Sequence, residues 1–292
     1  MISLLRGVRL DLGGSHIEIL GKTEVEIYGN DATITGSLQS RIFEVKGRMT
    51  LDHVKLSDGR ATQGGALRIL GTGRVLLLDV TIEGCEAFVE STSEVAAGGA
   101  VYVFNGGKLD ATSTTIRACK AENRRTFGET AARGAGIYID GEAIFTKSTI
   151  TQCHAHAFVV EKGFGGGMFL GEQGKLLMKD QTLLTENGAS GDGDAIFSGG
   201  GGAGSYQLPA PEGRFIAGLK CHVYRKGCAL TTKGQPKNPD CVTTRDQCSK
   251  KLDEGETRAS VLIIGNVNET SCQPQSKSQP CDYENLPDLL NR

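Results

Sequence analysis

Tryptophan is absent from the 292 residues, and aromatic side chains make up only 5%. Large rings supply much of the burial in a compact single core, so this chain has to cover its apolar surface by other means. No apolar run approaches the ~18 residues of a helical membrane span. The formal charge is −2 and the pI about 6.2, which leaves no basic footprint for nucleic acid. The opening Met1-Ile2-Ser3-Leu4-Leu5-Arg6-Gly7 is too short for a secretory signal. Strand-like alternation begins almost at once, so little is present to cap a first sheet, and a longer parent protein is expected.

Glycine is abundant, at 41 residues, often in pairs, and each costs a helix interior about 1 kcal/mol. The glycines belong to a repeat. Gly64-Gly65-Ala66-Leu67, Gly98-Gly99-Ala100-Val101, Gly134-Ala135-Gly136-Ile137 and Gly165-Gly166-Gly167-Met168 are versions of one phrase. A second phrase ends in Cys85, Cys119, Cys153 and Asn187, each 34 residues from the next. Self-similarity at this period marks a stack of units that bury one another. Helical repeats of similar length exist, but the local pattern excludes them. Leu67-Arg68-Ile69, Val101-Tyr102-Val103 and Ile137-Tyr138-Ile139 alternate with a period of two, and Thr112-Ser113-Thr114-Thr115-Ile116 is β-branched and poor in helix formers.

The expected fold is therefore all-β: a parallel β-solenoid, single-stranded, with three short strands per coil. Val75, Leu109 and Ala143 should form one inward column, Leu77, Ala111 and Phe145 a second, and Ile82, Ile116 and Ile150 a third. Leu176 and Met178 fall one residue out of step, so an irregular fourth coil is expected. His16–Leu20, Val25–Tyr28, Ala32–Thr35, Ile42–Val45 and Met49–Leu56 continue the strand pattern toward the N-terminus. In all, about six or seven coils make a rod of roughly 30 Å.

Composition shifts near residue 198. Residues 1–197 read as the β-helix, 198–212 as a Gly-rich, Pro-containing linker, and 213–292 as a small irregular module. This tail carries Cys221, Cys228, Cys241, Cys248, Cys272 and Cys281 in a polar context, the composition of a disulfide-stapled unit whose pairing stays open. It lacks the CxxC pairs of a zinc site. Asn268-Glu269-Thr270 is a glycosylation acceptor and agrees with an oxidising compartment. Cys85, Cys119, Cys153 and Asn187 are expected to form a structural ladder, the thiols as small apolar filler.

The Gly-Gly-Ala-(Leu/Val) phrase together with Ile-x-x-Cys or Leu-x-x-Asn resembles the GGA(I/L/V) and FxxN repeats of bacterial polymorphic outer membrane proteins. Gly64-Gly65-Ala66 and Gly98-Gly99-Ala100 match outright, and the other two Gly-rich phrases loosely. Ile82, Ile116, Ile150 and Leu184 stand where that pattern has Phe, and only Asn187 keeps its Asn. The resemblance implies a right-handed parallel β-helix, the pectin-lyase-like fold, and a surface-displayed adhesive or structural protein; the Cys-rich tail suits similar repeats in surface proteins of eukaryotic microbes.

Enzymes share that fold, so fold cannot decide function. The galacturonase phrases Asn-Thr-Asp, Asp-Asp and Gly-His-Gly are absent. Leu51-Asp52-His53-Val54 faintly echoes a phrase near pectate lyase sites but also reads as one plain strand. Asp192 and Asp194 fit a solvated turn better than a Ca²⁺ loop, and His154 and His156 lack a third metal ligand nearby in sequence. One outward column stands out: Arg68, Tyr102, Tyr138 and Phe169 occupy the same position in four successive coils. It either stiffens the outer face or offers a glycan or a protein partner a binding strip.

The sequence thus favours a non-catalytic extracellular or cell-surface protein with an adhesion, matrix or ligand-display role, with no cofactor, no metal, no nucleic acid and no membrane span. A polysaccharide lyase or glycoside hydrolase of the same fold is the alternative. If the tail is stapled separately, reducing agent is expected to change near-UV dichroism of the tail while leaving the far-UV strand signal in place; parallel loss of both signals contradicts the division.

Overall fold

The computed structural model describes residues 1–90, 94–125, 131–158, 162–180, 182–191 and 193–198, with the backbone of Ser205–Gln207, Val261–Ile263 and Val267–Glu269. The six tail cysteines lie outside the described residues. Within them the fold is all-β, without a helix, and every strand pair is parallel. Sheets of 14, 8, 5 and 3 strands surround one apolar interior in a solenoid-like arrangement.

Each rung pairs with the next in strict register. Val75, Leu109, Ala143 and Leu176 form one column, and Leu77, Ala111, Phe145 and Met178 another. Ile82, Ile116, Ile150 and Leu184 form the third. All twelve are almost completely buried. The offset expected at Leu176 and Met178 does not occur, because the extra residue of that rung falls between Lys179 and Leu183, where the chain turns. Burial at roughly 25 cal/mol per Å² of apolar surface holds each rung against its neighbours.

The rungs hold more strands than expected. One rung contains Leu67–Ile69, Arg74–Leu78, Thr81–Glu83, Glu86–Val89 and Ala96–Ala97, five segments rather than three. Left-handed backbone at fixed corners explains the division. His53, Asp79, Ser113, Lys147 and Asp180, with φ of 51, 50, 52, 51 and 41°, form one corner column. Asp58, Gly84, Ala118, Gln152 and Glu186, at 52, 63, 52, 57 and 55°, form a second. Gly64, Gly98, Gly134, Gly165 and Gly193, between 61 and 70°, form the third. A single left-handed residue turns the chain without a loop, so what reads as one long strand from Arg74 to the Cys bends twice.

Only the third column is always glycine. A Cβ on Gly98 would collide with the carbonyl oxygen of Val101, and Gly64, Gly134 and Gly165 meet the matching oxygens of Leu67, Ile137 and Met168. This steric demand is the physical content of the Gly-Gly-Ala phrase.

Toward the N-terminus the strands run through the corners unbroken. Glu24–Thr35 is one strand, with a register shift between Tyr28 and Ala32 where Asn30 and Asp31 are left-handed (φ 46 and 64°). Arg48–Ser57 likewise runs past His53, and pairs with Arg74–Leu78 along its first half and Thr81–Glu83 along its second. Beyond Ser198, Val261–Ile263 pairs with Thr182–Thr185, and Val267–Glu269, which contains Asn268, pairs with Ile196–Ser198.

Two substitutions test the corners in opposite directions. Ala118→Gly removes a left-handed strain of about 1–2 kcal/mol against a glycine entropy cost of about 0.5–1 kcal/mol, and should leave the urea midpoint unchanged or raise it slightly. Gly98→Ala should lower the midpoint, by about 2 kcal/mol or more of stability.

Candidate functional site

Three side-chain rows leave the sheets. The first contains the predicted outward column. Val101 and Val103 point into the core, as do Ile137 with Ile139 and Met168 with Leu170, so the residue between each pair points out. Tyr102 and Tyr138 stack with centroids 4.8 Å apart at an interplanar angle of 7°. Tyr138 and Phe169 follow at 5.2 Å and 7°, and Phe197 extends the row at 5.4 Å. Parallel pairing sets this spacing, since the rings repeat at the strand separation of about 4.8 Å.

The row is shielded. Tyr102, Phe169 and Phe197 expose only 7, 4 and 6% of their surface, although they stand outside the core cluster. Burial pushes the phenols of Tyr102 and Tyr138 up, so both stay neutral. The Arg133 guanidinium lies over the Phe169 ring at 5.4 Å. On the far side Arg68 continues the column above Glu44. Glu44 takes Arg41 at 3.0 Å and Arg68 at 3.5 Å. Arg41 also donates to the carbonyls of Gln63 and Gly64, and burial together with Arg68 pulls its pKa down to about 10. The four predicted residues therefore come together, but as a covered stack tied at one end by an ionic knot.

The second row is open. On the outer face of the neighbouring sheet, Glu24, Arg48, Arg74, Lys108, Glu142 and Lys175 occupy one column. Beside it run Thr50, Leu76, Asp110 and Ile144. All of these except Lys175 line a shallow groove of about 430 Å³. Glu142 pairs with Lys108 and with Lys175, which holds its carboxyl below the usual range. Arg74 donates to the carbonyls of Thr72, Gly73 and Gly106. The repeat phrases did not expose this groove because its residues change identity from rung to rung.

The third row is the predicted ladder. Cys85, Cys119 and Cys153 are free and fully buried, and each thiol donates to the carbonyl two residues before it, that of Glu83, Arg117 and Thr151. Burial pushes Cys85 and Cys153 up and keeps them protonated. At the fourth site Asn187 accepts from the Cys153 amide and donates to the Ile150 carbonyl, both at 3.0 Å. Its side chain thus satisfies backbone groups of the rung before it.

The remaining candidates separate. His154 and His156 are exposed, opposite Lys120 and Glu122. Asp194 accepts from the Ala189 amide at 3.0 Å, as a turn residue does; Asp192 lies outside the described residues. Asp52 and His53 lie within the strand Arg48–Ser57, as expected; His53 is left-handed, its Nδ1 sits 2.5 Å from Asp52 Oδ1, and that carboxylate raises its pKa. Asp79, one rung on, lies beside them. No helix among the described residues is long and apolar enough to cross a membrane.

No family model matches the chain, and comparison with curated proteins and with solved structures returns no match.

The shielding of the rings has a measurable consequence. Tyr102→Ser should cost about 3 kcal/mol by removing a buried ring and leaving its neighbour unstacked. Thermal unfolding checks this, because a ring on an open surface would leave the midpoint nearly unchanged.

Proposed function

We propose that this chain is a right-handed parallel β-helix of the pectin-lyase-like kind, working outside the cell or at its surface as a non-catalytic protein that displays a long face to a glycan or a protein partner. The observation that carries this reading is the open groove. Charged, hydroxyl and aliphatic side chains stand in register along it over five successive rungs from Glu24 to Glu142. The rung spacing of about 4.8 Å is comparable with the length of one sugar unit. A linear chain laid along the stack would therefore place successive units against successive rungs, each with its own charged, hydroxyl or aliphatic contact. The shielded rings of Tyr102, Tyr138 and Phe169 stiffen the sheet beside the groove.

The enzyme reading has one observation in its favour: Asp110 and Glu142 line the groove on neighbouring rungs. Glycosidases need two free carboxyl groups about 5–9.5 Å apart. Here Glu142 is held by two lysines, and Glu24 stands four rungs from it.

The test uses immobilised polygalacturonate and a neutral glucan. The intact chain should be retained by at least one of them without releasing fragments. Reversing Arg48→Glu and Arg74→Glu together should weaken retention on the acidic polymer roughly tenfold at low salt, and added salt should narrow the difference. Undiminished retention by the double variant removes the groove from the reading. Soluble fragments that disappear with Asp110→Asn establish the enzyme instead.

A further inference from the structure

A polar cluster at the first corner column has no part in the display role. Asp52 and His53 come from Arg48–Ser57, and Asp79 is the corner residue after Arg74–Leu78. Pairing of Asp52 with Leu78 sets the left-handed residues His53 and Asp79 one rung apart at the same corner. One ligand atom from each of the three residues lies within 4.8 Å of the other two.

The cluster is short of positive charge. Asp52 contacts only the His53 ring among the described charged side chains, and the Asp79 carboxylate makes no hydrogen bond or ion pair with a described residue. Asp31, the corner residue of the preceding rung, adds a third carboxylate whose nearest cation is Arg6, 3.8 Å away. An imidazole nitrogen and two carboxylates from separate rungs, with no described lysine or arginine paired to either carboxylate, have the composition of a cation's donor set.

We propose that Asp52, His53 and Asp79 bind a divalent transition-metal ion of the Zn²⁺ and Co²⁺ class. One imidazole with two carboxylates suits such ions, whereas Ca²⁺ and Mg²⁺ favour all-oxygen shells. Bonds of about 2.1 Å allow two ligand atoms on one ion to stand up to ~4.2 Å apart. Side-chain rotation of the exposed Asp79 can close a separation bounded at 4.8 Å while the backbone stays in place. The His53 side chain is 59% exposed, so water or an anionic group of a bound molecule completes the coordination. The ion ties two rungs together where Arg48–Ser57 changes partners from one strand to the next.

Co²⁺ titrated into the full chain after dialysis against chelator is the test, followed by visible absorption and calorimetry. Saturation at one ion per chain is expected, with weak ligand-field bands of a nitrogen and oxygen shell. His53→Asn and Asp79→Asn are suited to the experiment because Asn tolerates left-handed backbone. Each should weaken binding roughly tenfold or more, as should Asp52→Asn, which disturbs no corner. His154→Asn with His156→Asn should change nothing. Absence of saturable binding, binding retained by all three variants that remove a ligand, or an intense thiolate charge-transfer band from cysteine ligation would each overturn the site.

Discussion

Parallel hydrogen bonding between successive rungs is the interaction on which the rest of this protein depends. Each rung by itself exposes apolar side chains on its inner faces and unpaired amides and carbonyls on both edges. The next rung covers both deficits at once. Ile82, Ile116, Ile150 and Leu184 are buried because the backbones beside them pair in register, and the pairing persists because those columns exclude water. Stability is therefore distributed along the stack and not held in one core. The scarcity of rings follows: small and branched side chains fill a narrow interior that Trp would overfill.

Corners are the complement of the ladder. A rung closes only if the chain turns at the same places each time, and three columns of left-handed residues achieve this. At the Gly64, Gly98, Gly134 and Gly165 column a carbonyl blocks any Cβ, so glycine recurs. At the other two, strain alone opposes a side chain, and Asp, Ser, Ala, Gln, Lys and Glu are all present. A sequence motif survives where sterics are absolute and dissolves where the penalty is about 1–2 kcal/mol.

Outward positions carry no such constraint, and function has room there. The faces differ in what they do with that freedom. Tyr102, Tyr138, Phe169 and Phe197 form a stack that is itself largely covered. The column from Glu24 to Glu142 keeps mixed charge along an open groove. Asp52, His53 and Asp79 gather two carboxylates around one imidazole at a corner. A rigid stack lets residues far apart in sequence act together, because it fixes their separation at a whole number of rungs.

What the sequence determined by itself was the burial that repeats. Strand alternation, the Gly-rich phrases and the Cys85, Cys119, Cys153 and Asn187 spacing identify an all-β stack with parallel neighbours, and they place the inward columns correctly. They do so because periodic burial leaves a periodic record. Tertiary structure alone decided which outward residues are covered, where a long strand bends, and that Asp79 meets Asp52 and His53. Those outcomes depend on a single backbone angle at a corner and on the register between rungs. Neither quantity is local to the residues it brings together, so neither could be read from their order along the chain.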